Sequence, residues 1–235
     1  MTRIAPAEWP ADGVSDLAAG KVAVWLVRLD AEASTDVLAP AEQERAARFA
    51  AADLSRRWSR ARAALRRILA AYAGADPAAV AIEPATCVHC GEPHGKPFLA
   101  DPPARWLRFN VSHSGELALV AVAHGREVGV DVEAVRGGRR HDAIAERWFA
   151  APEAEELRGL TDAERELAFY RLWARKEAYL KATAEGIAGG LDAFDARGAA
   201  RLPGWDFADV EVPAGYAGAL AVAPPGFEPR YSPGG

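Results

Sequence analysis

Three carboxylates and a lysine carry the most specific chemistry this sequence can do. In Gly-Val-Asp-Val-Glu (129–133), Asp131 and Glu133 stand two residues apart between valines. On a strand both side chains leave the same face, while Val130, Val132 and Ala134 point the other way. Strands rarely carry Asp, and like charges on one face repel unless a cation lies between them. Taken alone, that spacing favours an edge strand with a solvated polar face. The stretch YRLWARKEAYLK (170–181) shifts the balance. On a helix Trp173, Glu177 and Lys181 form one stripe at i, i+4 and i+8, with Leu180 beside them. The plain alternative is a surface Glu–Lys pair worth about 0.2–0.5 kcal/mol, but a tryptophan in the stripe argues that it faces protein. If helix and strand pack together, three acids converge next to a lysine. Hard oxygen donors in that number suit Mg²⁺, which takes its remaining ligands from water and substrate phosphate. The chemistry indicated is phosphoryl-type transfer.

Other groups fit that chemistry. Phe-Asn-Val-Ser-His-Ser (109–114) offers Ser112 and His113 at a strand end, and Gly-Lys-Pro-Phe-Leu (95–99) presents Lys96 between a flexible Gly and a stiff Pro. Singly each has an ordinary alternative: a turn serine, a surface histidine, a loop lysine. There is no P-loop and no GxGxxG motif. Arginine supplies nearly all positive charge. Of 28 Lys+Arg only Lys21, Lys96, Lys176 and Lys181 are lysines, and two of them flank Glu177. Lys176 faces about 100° away from Glu177 on a helix, and its candidate role is an ion pair between two halves of the protein.

The elements that must position these residues follow from pattern. Strands are expected at 22–29, 106–112, 117–123 and 127–135, with a closing hairpin from 206–212 and 217–223. Helices are expected at 40–51, 54–72, 141–149 and 163–184. The first strand and helices resemble the later ones in order. Trp-Ser-Arg-Ala-Arg-Ala-Ala-Leu-Arg (58–66) aligns over Trp-Ala-Arg-Lys-Glu-Ala-Tyr-Leu-Lys (173–181), so that Arg62 meets Glu177 and Arg66 meets Lys181. This reads as an internal duplication, two similar α+β halves about a pseudo-twofold axis, although alanine-rich helices also align by chance. The expected division is residues 1–112 as a basic N-terminal half, 113–223 as the half with the metal and catalytic residues, and 224–235 as a flexible tail.

Bulk properties exclude several classes. A chain of 235 residues, half hydrophobic and a quarter charged, is that of an ordinary globular protein. The net charge of −5 provides no general basic field for nucleic acid, although residues 45–67 hold eight arginines and one acid, Asp53. The longest apolar run, Leu117 to Ala123, is too short to span a bilayer. The N-terminus lacks the apolar stretch of a signal peptide, and two cysteines make no disulfide framework, so a cytoplasmic protein without membrane association is expected. Cys87, Cys90 and His94, with His89 nearby, have ligand-like spacing, but a structural zinc site wants four ligands and a metal-free loop is expected.

The blocks GKPFL, FNVSHS, GVDVE, RWF (147–149) and WARKEAYLK occur in the order and approximate spacing of Sfp-type 4′-phosphopantetheinyl transferases, which the chain resembles from Pro40 to Ala223. The resemblance implies transfer of the phosphopantetheine arm of coenzyme A to a serine of an apo acyl or peptidyl carrier protein. Adenosine 3′,5′-bisphosphate would be released. It implies Mg²⁺, with Mn²⁺ as an alternative ion, held by Asp131, Glu133 and Glu177. Glu177 would help deprotonate the carrier serine, and Lys181 would contact the pyrophosphate and the leaving group. Arg45, Lys96, Ser112 and His113 would hold the coenzyme A phosphates, with Pro97 and Asn110 shaping that pocket. Single-half members form trimers, so a chain with both halves is expected to act as a monomer. Glu42 stands where some relatives carry a cation, which leaves open which of Arg56, Arg57, Arg60 and Arg62 reach a ligand. Fatty-acid, polyketide, peptide-synthetase and siderophore carriers all fit. The rival functions are an Mg²⁺-dependent nucleotide or coenzyme A phosphohydrolase using the same acids, and a non-catalytic module that only docks carrier proteins.

Overall fold

The computed structural model describes residues 1–235 except 11, 12, 15, 88, 89, 94, 102, 103, 138–140, 187–189, 199–201 and 230–235. The chain begins with two short strands, β1 (Thr2–Ile4) and β2 (Ala7–Trp9), followed by β3 (Val22–Arg28), α1 (Pro40–Ala47) and α2 (Ala52–Ala73). A small hairpin-like pair, β4 (Ile82–Pro84) and β5 (Pro97–Leu99), precedes β6 (Leu107–Ser114), β7 (Leu117–His124) and β8 (Val128–Ala134). Then come α3 (His141–Trp148), α4 (Ala151–Arg158), α5 (Asp162–Thr183), β9 (Asp206–Val210) and β10 (Tyr216–Val222). None of the described helices is long and apolar enough to cross a membrane.

The fold is α+β, with two four-stranded sheets ordered β2-β3-β7-β6 and β1-β9-β10-β8. Three strands of each repeat one plan. The first pairs antiparallel with the third, which pairs antiparallel with the second: β3-β7-β6 and β8-β10-β9. In both cases helices lie between the first and second strands, so the two similar halves foreseen from sequence recur as topology. The N-terminal strands break the repeat. β2 lies parallel to β3, a first strand, whereas β1 lies parallel to β9, a second strand. A division at 112/113 would cut through β6; by strand pairing the first sheet runs to His124. Sequence separates the two runs by turn residues but does not reveal that β7 closes back on β3. The segment after 223 is also not wholly free, because Phe227 packs on Trp205 at 5.1 Å between ring centroids.

The layers run α2, first sheet, second sheet, α5. Ala118, Val120 and Val122 of β7 join Leu65, Ile68 and Leu69 of α2, whereas Leu119, Ala121 and Ala123 meet Val130, Leu220 and Val222 of the other sheet. A central strand covered on both faces has no polar side, which is why 117–123 is continuously apolar. Each such fully buried Val or Leu stabilises the fold by about 1.5–3 kcal/mol. On the far side of the second sheet, α5 presents Ala174, Ala178 and Ala182 to Ala219, Ala221 and Ala223. Small residues at that spacing let helix and sheet approach closely.

Candidate active site

β6 and β8 are edge strands of different sheets, and they meet through side chains rather than a backbone ladder. Every second residue of β6 reaches across. Asn110 Oδ1 accepts from the Val130 amide at 3.0 Å, and Ser112 Oγ donates to Asp131 Oδ1 at 2.7 Å. Ser114 Oγ donates to Glu133 Oε2 at 3.0 Å and accepts from the Ala134 amide at 3.0 Å. The period of two is the strand pleat itself. These bonds fix β8 where its polar face meets α5.

Gly129, Asp131 and Glu133 share that face, and Gly129 explains how α5 comes so near. A Cβ on Gly129 would collide with the Ala178 carbonyl oxygen and stand 2.6 Å from the Ala182 nitrogen. Because both are helix backbone, only glycine permits this contact. From there Lys181 reaches back along the strand: Nζ lies 2.6 Å from Asp131 Oδ1 and 3.0 Å from Ser112 Oγ. Asp131 Oδ2 and Glu177 Oε1 are buried without a hydrogen-bond partner among the described residues. Burial first, and then the charge of Asp131, raise the Glu177 carboxyl above its ordinary range; Lys181 opposes this and Glu133 adds to it. Glu133 is likewise raised by burial and Asp131, against Ser114, Lys181 and Arg136. His113 keeps an exposed edge, but crowding by protein atoms and then the charges of Lys181 and Arg45 lower its imidazole pKa. Arg45 itself lies in the last turn of α1, its guanidinium 5.4 Å from the Trp58 ring centroid, with no salt bridge among the described residues.

Among the described residues no three His, Cys, Asp or Glu side chains form a ready-made metal cage; the ammonium of Lys181 sits against Asp131 instead. The donor set nevertheless fits a small hard cation. Two buried carboxylate oxygens from different elements lack a proton donor, and each such group costs about 1–3 kcal/mol unless something satisfies it. A cleft of about 490 Å³ elsewhere, lined by Ile4, Val22, Val24, Phe207 and Leu220, holds none of these groups.

The structure therefore brings Asp131, Glu133, Glu177, Lys181 and Ser112 together, with His113 and Arg45 in electrostatic range. It departs from sequence expectation for Lys96. That ammonium is buried against Glu127 Oε2 at 2.7 Å and does not stand at a loop edge. Asn110 acts as a cross-strand tie, and Pro97 borders a small cavity of about 50 Å³ with Arg105, Arg108 and Phe109. Lys176 does pair with a carboxylate, Glu153 at 2.7 Å, but within one half, and it also donates to the Leu191 and Phe194 carbonyls.

Most of the basic run on α2 is internally committed. Arg62 and Arg66 clasp Glu42, Arg60 donates to the Leu29 and Asp30 carbonyls, and Arg57 pairs with Asp53 and Glu116. Arg56 is exposed. Cys87 is half-buried and Cys90 exposed, while His89 and His94 lie outside the described residues. Sequence reasoning passed over Ser114 and Gly129. The alternation Asn110, Ser112, Ser114 was the signal for the first, and a glycine inside a valine-rich strand for the second.

The chain is similar to known proteins over the segment that holds these residues. The model of the 4′-phosphopantetheinyl transferase superfamily matches residues 127–208, which include all three acids and Lys181. The 4′-phosphopantetheinyl transferase HetI of Nostoc sp. is 34% identical over 227 residues, 92% of this chain and 93% of the relative. Psf-1 of Bacillus pumilus, also named a 4′-phosphopantetheinyl transferase, is 40% identical over 45% of this chain and 43% of its own. The 4′-phosphopantetheinyl transferase Sfp of Bacillus subtilis is 33% identical over 44% of each. With a relative similar along nearly its full length, this chain belongs to the 4′-phosphopantetheinyl transferase family.

Proposed function

We propose that the chain transfers 4′-phosphopantetheine from coenzyme A to a serine hydroxyl of an apo acyl or peptidyl carrier protein. The observation that carries this reading is the pair of partnerless buried oxygens, Asp131 Oδ2 on β8 and Glu177 Oε1 on α5, beside the Lys181 ammonium. The serine oxygen forms a bond to the phosphorus bearing the pantetheine arm. The bond from that phosphorus to the bridging oxygen breaks, and adenosine 3′,5′-bisphosphate leaves. Glu177 takes the serine proton. A carboxylate raised by burial and a neighbouring acid is a better proton acceptor near neutral pH than an ordinary one.

Lys181 turns from Asp131 to the pyrophosphate and meets the charge that grows on the leaving group. A compact ammonium on a flexible stem suits that movement better than a guanidinium. Asp131, Glu133 and Glu177 would hold Mg²⁺, or Mn²⁺, which supplies neutralisation of the pyrophosphate charge. Ser112, His113 and Arg45 receive the coenzyme A phosphates, while Asn110 holds β6 against β8 and Pro97 borders that side of the fold. Lys96 is left out of this set because its ammonium is spent on Glu127. Both halves contribute to the site, so the protein works as a monomer.

The test is to incubate protein, Mg²⁺, coenzyme A and an apo carrier domain and to weigh the carrier. The expected result is a mass gain of one phosphopantetheine. Consumption of coenzyme A with an unmodified carrier would make the protein a phosphohydrolase, and no chemistry with carrier binding would make it a docking module.

A further inference from the structure

Lys96 has a different task, one that rests on the reading of the site above. We propose that Lys96 is a positioning residue: held by Glu127, its ammonium clamps the start of β8 to the last turn of α5 and so fixes the spacing between the elements that carry the acids. Its three protons are all engaged, on Glu127 Oε2 at 2.7 Å, the Val128 carbonyl at 2.8 Å and the Ala182 carbonyl at 3.4 Å. The other Glu127 oxygen accepts from Arg108 Nε at 2.7 Å. Only 4% of the Lys96 side chain and 3% of that of Glu127 are exposed, so turning the ammonium to a phosphate would give up a buried ion pair and two carbonyl acceptors at once.

The choice of acceptors is what gives the clamp its reach. α5 ends at Thr183, and the last four carbonyls of a helix lack intrahelical donors. Ala182 is one of those, and a cation there also meets the negative end of the helix dipole. Val128 opens β8 and is followed by Gly129, whose backbone touches Ala178 and Ala182. The ammonium therefore closes the point where strand and helix come closest. Asp131 lies further along the same strand face, and Lys181 is the residue before Ala182. A shift at the clamp moves Asp131 relative to Lys181 and Glu177 although Lys96 touches none of them.

The test compares wild type with Lys96→Met, which keeps the unbranched stem and removes the ammonium, and with Glu127→Gln, which leaves two cations without their shared carboxylate. Transfer kcat, coenzyme A affinity by calorimetry and hydrogen exchange by mass spectrometry are measured well below each variant's melting temperature and referred to folded protein. The clamp predicts a kcat lower by about 10–100-fold in both variants, the range for partners that orient a site without touching its substrate. Coenzyme A affinity stays within about twofold, and the double variant is no worse than either single one, as expected for residues acting as a unit. Exchange quickens in β8 and the last turn of α5 but not in α2. A direct phosphate contact predicts the opposite split: weakened coenzyme A binding in Lys96→Met, unchanged kcat at saturation, and a neutral Glu127→Gln. That pattern overturns the clamp. If Lys96→Met fails to fold, Glu127→Gln decides alone, since an unaltered kcat there also overturns it. Should wild type show no transfer, the proposed function fails, and the exchange comparison still tests the clamp by itself: faster exchange confined to β8 and the end of α5 supports it, and unchanged exchange rejects it.

Discussion

The two long helices α2 and α5 are built alike and finished differently. Each has 22 residues and follows a short helix whose third residue is a buried glutamate, Glu42 or Glu153. Each glutamate accepts from the amide of the alanine that caps its own helix, at 3.0 and 2.9 Å. Each also receives a cation from the long helix: Arg62 and Arg66 for Glu42, Lys176 for Glu153. Both long helices place a tryptophan near the preceding phenylalanine, Phe49–Trp58 at 5.9 Å and Phe149–Trp173 at 6.3 Å. There the likeness stops. Burial works against the charge of Glu42, but Arg62 and Arg66 outweigh it and hold its carboxyl below the usual range. On α5 the residue after Lys176 is Glu177, whose buried oxygen has no donor and whose pKa is raised. The deeply buried pairs hold this fold together, and the buried carboxylate oxygens without a donor among the described residues are the ones open to a ligand.

Removing the unpaired charge should have the largest effect. Glu177→Gln is expected to lower the transfer rate by about 10²–10⁴-fold, the usual contribution of a general base, while folding and coenzyme A binding persist. A progress curve on an apo carrier measures the first, and circular dichroism with calorimetry the second. Breaking the paired side should do the reverse. Glu42→Leu leaves Arg66 buried without its carboxylate and is expected to cost about 3–5 kcal/mol in urea unfolding, with little change in rate per folded molecule.

A smaller effect follows from the raised acids. Relative to the ordinary value of 4.5, Glu177 and Glu133 hold their protons to higher pH when folded. Between 4.5 and those raised values the folded state binds more protons than the unfolded chain, so the stability these groups contribute is lost as pH rises through that window. At neutral pH without divalent metal, Glu177→Gln should therefore melt higher than wild type, by roughly 2–4 °C for each kcal/mol relieved. The gap should close below the window in scanning calorimetry. The smallest effect concerns the helix ends. α2 closes on Gly74 with φ 64° and α5 on Ala184 with φ 63°, a left-handed conformation that strains alanine. Ala184→Gly should stabilise by about 1 kcal/mol, read as a small rise in melting temperature without loss of transfer.

Sequence revealed the parts of this comparison that repeat with a period. The expected helix at 163–184 is found as Asp162–Thr183, and the strand pattern around Asp131 as Val128–Ala134. The closing hairpin is found as β9 and β10, paired antiparallel. Helix α4 and the three-residue strands β1, β2, β4 and β5 were not foreseen, since so few residues show no alternation and Ala-Pro-Glu-Ala reads as a loop as readily as a helix start. At the site, residue type and spacing placed both Asp131 and Glu133 on one strand face, and Glu177 and Lys181 on one helix stripe. Which cation meets which acid was not legible. Lys96, Lys176, Arg62 and Arg66 all find carboxylate partners at least 20 residues away in the chain, through packing that no local pattern encodes. Lys96 reads from sequence as a phosphate ligand and Lys176 as one half of an ion pair, and only burial sets Lys96 apart from Lys181.

The most direct test of the account is electron paramagnetic resonance of Mn²⁺, with coenzyme A present, on wild type, Asp131→Asn and Glu177→Gln. The account predicts one tightly held ion in wild type and its loss from both variants, because strand and helix each supply a ligand to one site. Equal Mn²⁺ binding by all three proteins would contradict it.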